Sequence, residues 1–131
     1  MINAVTYILE NNATVQGLVG ARSRGSDYKV FPVVVPSSEE APYIVARQTG
    51  KVSAGKSCGY IYTIDVISYA TSYDAVNALN AAVVSAIEAQ ASATVNGVTF
   101  GYLNQVNESD DFVKGDHDLY AKISTFEGQA G

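Results

Sequence analysis

Three places in the chain carry residues whose types and spacing could do chemistry. The sharpest is Gly50-Lys51-Val52-Ser53-Ala54-Gly55-Lys56-Ser57, which matches the phosphate-loop pattern G-x-x-x-x-G-K-S at every fixed position. Such a loop works when a strand feeds the glycines and a helix begins at the Lys-Ser pair. The helix N-terminus then aims its amides and its dipole at the phosphates. Here a strand-like run precedes the glycines, but Cys58-Gly59 leads straight into Tyr60-Ile61-Tyr62-Thr63-Ile64-Asp65-Val66-Ile67-Ser68-Tyr69, a β-branched and aromatic strand. Asp65 looks like a Walker B partner, yet it lies only eight residues after Ser57. That leaves no room for the crossover helix of a parallel sheet. The segment reads as a Gly/Ser/Lys hairpin loop, and no nucleotide cofactor is expected.

The second place combines Glu108-Ser109-Asp110-Asp111 with Asp116-His117-Asp118. Carboxylates beside a histidine are hard ligands for a divalent ion. The spacing is not that of an EF-hand, and both groups fall between two expected strands. A solvated acidic hairpin loop is the expectation, with no metal. The third is His117 as a general base. It is the only histidine, and the sequence pairs it with no Ser or Cys nucleophile. No catalytic, cofactor-binding or metal residue is therefore assigned, and the chain is not expected to be an enzyme. Asn12 and Asn107 begin Asn-x-Ser/Thr sequons, which mean little without a secretion signal.

Composition narrows the remaining classes. A length of 131 residues suits one domain with a real core. Charged residues are only 16% of the chain, which leaves neutral surface available for protein contacts. There are nine Tyr against four Phe and no Trp; a tyrosine has an apolar body and a polar tip, suited to surfaces that are wet in one state and covered in another. The net charge of −5 with eight scattered basic residues argues against a nucleic-acid binder, which must neutralise phosphates. A single cysteine, Cys58, cannot form an internal disulfide. The opening Met1-Ile2-Asn3 has no signal-peptide character, and no apolar run approaches the ~20 residues of a membrane span. Folding in the cytoplasm is expected, with no membrane partner.

The elements that must position these residues follow from periodicity. Val5, Ile8 and Leu9 mark a helix over residues 4–10, ended by Asn11-Asn12; Val15, Leu18 and Val19 mark a second, stopped by Gly20. Residues 22–41 form an irregular loop, within which 29–35 could hold an edge strand because Pro32 excludes a central one. Residues 43–49 and 60–69 are strands, with Tyr62, Ile64 and Val66 on the face expected to meet the helices. Thr71-x-x-Asp74 has capping-box spacing and opens a long alanine-rich helix whose stripe is Val76, Leu79, Val83 and Ile87. After the Asn96-Gly97 turn come strands over 98–106 and 119–126. The expected fold is α+β, a single domain over 1–131: N-terminal helices in 1–20, the loop 22–41, and an antiparallel sheet of about four strands with the long helix in 42–127. The helices pack on one face of that sheet, and 128–131 form a flexible tail.

This pattern resembles the tail-completion or tail-terminator proteins of long-tailed bacteriophages. Val15-Gln16-Gly17-Leu18-Val19-Gly20-Ala21-Arg22 is similar to that family's short second helix and its following Arg. Val35-Pro36 through Ala41-Pro42-Tyr43-Ile44-Val45 resembles its Pro-rich loop closing into the first strand. Tyr62-Thr63-Ile64-Asp65-Val66-Ile67-Ser68-Tyr69 resembles its central strand, followed by the long helix. The likeness covers roughly residues 3 to 126, and the extended 22–42 segment departs from the pattern. The resemblance implies a virion protein, assembled in the host cytoplasm, that forms a ring, typically of six copies, on the end of the tail tube near the head–tail junction. The ring stops tube polymerisation and offers a surface for head attachment. Its partners are then itself, the tail-tube protein and head–tail connector proteins, with DNA only passing through the lumen. A head–tail connector (neck) protein of the same particle is the related alternative. A small nucleotide-binding protein using Gly50 to Ser57 is the alternative from another class.

Overall fold

The apolar residues that recur every three or four positions near the start fold as two short helices, α1 (Ile2–Glu10) and α2 (Ala13–Val19). The structure is a computed structural model that describes residues 2–21, 28–33, 40–53, 55, 59–90, 94–95, 97–113 and 119–130. Asn12 does more than end α1: its side chain accepts the Val15 amide at 3.1 Å and so caps α2. Gly20 closes α2 at φ 74°, a backbone angle that a residue without Cβ adopts at no steric cost.

The long helix, α3 (Tyr73–Glu88), starts differently from the expected Thr71-x-x-Asp74 box. Its cap is Ser72, which has extended backbone angles and accepts the Ala75 amide at 3.2 Å. Thr71 stands one residue too early to reach that amide. Asp74 still favours the start, because its charge faces the positive end of the helix dipole.

The sheet has six strands: β1 (Val30–Pro32), β2 (Tyr43–Ser53), β3 (Tyr60–Ala70), β4 (Thr94–Val95), β5 (Val98–Val113) and β6 (Leu119–Ala130). Their order is β1-β2-β3-β6-β5-β4. The expectation of about four antiparallel strands is corrected in two respects. The four long strands do pair antiparallel, but β1 joins parallel to β2, and two-residue β4 joins β5. β1 sits at the edge, as Pro32 requires.

Three strands also run beyond their expected ends. β2 continues through a bulge between Gln48 and Gly50 and pairs to Ser53. β5 continues to Val113, so Glu108, Asp110 and Asp111 lie in a ladder with β6 rather than in a loop. β6 takes in Gly128–Ala130, expected to be a loose tail, because both neighbours pair with it there: Gly128 lies between Tyr62 and Leu103. A Cβ on Gly128 would stand 2.9 Å from Leu103 Cδ1 and 3.3 Å from the Tyr102 carbonyl oxygen, so glycine permits the close approach.

All three helices pack on one face of the sheet. Ile64 and Val66 of β3 join Leu79, Val83 and Ile87 of α3 in one buried cluster, as their spacing predicts, and Phe100, Leu103 and Phe126 complete it from β5 and β6. Val5, Leu9, Val15 and Val19 fix α1 and α2 to the same cluster. Each such side chain contributes about 1.5–3 kcal/mol by leaving water. The alternate residues Phe31, Val45 and Ile67 point to the other face and are also buried.

Candidate assembly surface

The first half of the phosphate-loop pattern is strand rather than loop. Gly50 to Ser53 are strand residues of β2, paired antiparallel with Tyr60 to Thr63 of β3. Ala54, Lys56, Ser57 and Cys58 lie outside the described residues. Lys51 is exposed, and its ammonium sits 4.1 Å from the centre of the Tyr60 ring. Asp65 is engaged within the sheet. It pairs with Arg47 across the β2–β3 ladder at 3.6 Å and accepts the Thr125 hydroxyl at 2.7 Å.

The acidic residues separate in a similar way. Glu108, Asp110 and Asp111 lie on β5, whereas Asp116, His117 and Asp118 are outside the described residues. Among the described residues no group of three or more His, Cys, Asp and Glu is gathered as a metal ion would need.

Glu108 and Asp110 instead belong to a polar network between α3 and the β5–β6 hairpin. Ser124 donates to the Asn80 side-chain oxygen at 2.6 Å, and the Asn80 amide donates to Glu108 at 2.6 Å. Gln105 donates to Ser124 at 3.1 Å, and Lys122 donates to Asn77 at 2.9 Å. The Lys122 ammonium lies 3.3 Å from Asp110 and 3.9 Å from Glu108. Burial pulls its pKa down, but the hydrogen bond and charge of Asp110, with Glu108 behind it, outweigh that and hold it above 10.5. Asn77, Asn80, Gln105, Glu108 and Lys122 of this network line a shallow open pocket beside α3. Sequence reasoning missed the network. Its one sequence signal is Asn77 and Asn80, three residues apart within a helix whose charged residues, Asp74 and Glu88, lie at its two ends.

The features left for contact are edges and aromatics. β1 covers β2 only at Ile44–Ala46, and β4 covers β5 only at Val98 and Thr99. Among the described residues, no strand pairs with the outer sides of 47–53 or 100–113. Phe112 and Tyr73 are about half exposed and both lie against Tyr120, at 4.9 and 6.1 Å between ring centres. A second aromatic group, Tyr60 and Tyr62, stands at the far end of the sheet beside Lys51.

Residues 3–127 match the family model described as Tail completion protein gp17. The chain belongs to the tail completion gp17 family. Membership fits a structural role in a phage tail, in agreement with the likeness drawn from residues 15–22, 35–45 and 62–69. A chain in the virion of a native gene transfer agent particle has the same fold as this tail completion family member, at a TM-score of 0.75 and 18% identity. The likeness covers 99% of this chain and 93% of the other. No curated protein sequence matches this one.

Proposed function

We propose that the protein is a tail terminator: a ring of identical subunits on the end of the tail tube that stops tube growth and presents the surface to which the head attaches. The observation that carries this reading is membership of the tail completion family over residues 3–127. The described residues support it by offering contact surfaces rather than chemistry, with open sheet edges and half-exposed aromatics at both ends of the long strands. Its partners are then further copies of itself, the tube protein and the head–tail connector. DNA passes through the lumen without being held, and a net charge of −5 suits such a passage.

The test is negative-stain imaging of the purified chain mixed with growing tail tubes. Rings capping one tube end, with growth stopped there, are the expected result. Tubes that elongate as if the chain were absent would refute the reading.

A further inference from the structure

The two stretches of sheet edge that no described strand covers carry opposite charge. The stretch 100–113 of β5 contains Glu108, Asp110 and Asp111 and no base, while 47–53 of β2 contains Arg47 and Lys51 and no acid. Partners within the subunit reduce this contrast without cancelling it. Lys122 lies against Glu108 and Asp110, which leaves three acids to one base, a balance of −2. Asp65 lies against Arg47, which leaves two bases to one acid, a balance of +1.

The β2 edge carries a bulge at Gln48–Gly50 and one lysine, Lys51, whereas β5 runs without a bulge from Asn107 to Val113. A sheet edge invites another strand unless a proline, a lysine, an inward charge, a bulge or a very short strand blunts it. Residues 100–113 form a long stretch with neither proline nor lysine, and they expose Val106 and Phe112. On the other edge Val52 is 61% exposed.

We propose that the free end of β5 pairs with residues 47–53 of β2 in a second copy of this chain, so that the sheet continues across the subunit boundary. The topology sets the direction. β2, β3, β6 and β5 each run antiparallel to the next, so β2 and β5 run opposite ways. A rotation about an axis along the strands preserves each strand's direction, and β5 therefore meets the neighbour's β2 antiparallel. Because the two edges differ, the contact is head-to-tail, the kind that closes into a ring when its rotation divides the circle.

The neighbour's β1 occupies the position beside Ile44–Ala46, which sets the register. The incoming strand must slide until 107–113 oppose 47–53. Arg47 and Lys51 of one copy then face the stretch holding Glu108, Asp110 and Asp111 of the other. Main-chain hydrogen bonds supply affinity in such strand addition, and the charges select the orientation. This inference rests on the ring reading and deepens it by naming the two surfaces that meet.

Paired cysteines in the full chain test it. In a Cys58→Ser background, Lys51→Cys is combined in turn with Ser109→Cys, Asp110→Cys and Asp111→Cys. Each protein is oxidised at millimolar concentration, alone and with tail tubes, and sized on a denaturing gel beside native mass spectrometry. At least one pair should give a ladder of covalent oligomers, whereas each single-cysteine protein stops at a dimer. Oligomers seen by native mass spectrometry with no covalent ladder from any pair would overturn the edge pairing and leave the ring reading standing. A chain that stays monomeric at every concentration and on tubes would overturn both.

Discussion

Ser124 on β6 donates to Asn80 on α3 at 2.6 Å, and both residues are buried between helix and sheet. This bond locks α3 in rotation over the β5–β6 hairpin, since Asn80 also donates to Glu108 on β5. Asn80→Ala leaves the Ser124 hydroxyl without its acceptor, an expected cost of about 1–3 kcal/mol. Combined with Ser124→Ala, the total should fall short of the sum, because the two residues share one interaction. Urea denaturation of the four proteins measures this, and strict additivity would show that the bond contributes nothing.

The core makes a larger claim. Leu79 and Ile87 are fully buried in the cluster with Ile64, Val66 and Phe126. Leu79→Ala or Ile87→Ala should each cost about 2–5 kcal/mol, the range for emptying a packed site. An unchanged denaturation midpoint in both would mean that this face of α3 does not pack on the sheet.

The phosphate-loop pattern should bind nothing. β2 and β3 form an antiparallel ladder on either side of it, and among the described residues no helix begins between them. Calorimetry is expected to show no ATP or GTP affinity better than millimolar. Micromolar binding that Lys56→Ala abolishes would reinstate a nucleotide site.

Alkaline pH should weaken the fold through two groups. Asp110 and Glu108 hold the Lys122 ammonium above its ordinary value despite burial, and the hydrogen bond to Glu127 does the same for the Tyr102 phenol. A folded pKa above the unfolded one means that the group's stabilisation is complete below the unfolded value. It is then lost as pH climbs through the folded value. Stability due to these groups should be flat between roughly pH 7 and 9 and fall above about 10. Tyr102→Phe and Lys122→Met should each flatten that fall. Thermal melts across the range that show identical alkaline slopes in all three proteins would exclude this assignment.

How much of this was legible in the chain depends on whether the signal was local. The α3 stripe and the β3 alternation are strong, because Val76, Leu79, Val83 and Ile87, and Ile64 with Val66, repeat at the period of their element. The far half of β5 was not legible. Asn107, Glu108, Asp110 and Asp111 are poor strand formers, and it is the pairing with β6 that holds them extended. β4 has two residues and no period at all, whereas β1 falls inside the 29–35 stretch that Pro32 marks as an edge strand. The Asn80–Ser124–Glu108 network escaped for a related reason. Its bonds join residues 28 and 44 positions apart, and neither partner signals the other locally.

The most direct test of the terminator reading is tail length in particles lacking this gene, measured by electron microscopy. The account predicts tubes of uncontrolled, excessive length that fail to join heads, with normal tails restored by the wild-type chain supplied in trans. Tails of normal length attached to filled heads in its absence would contradict it.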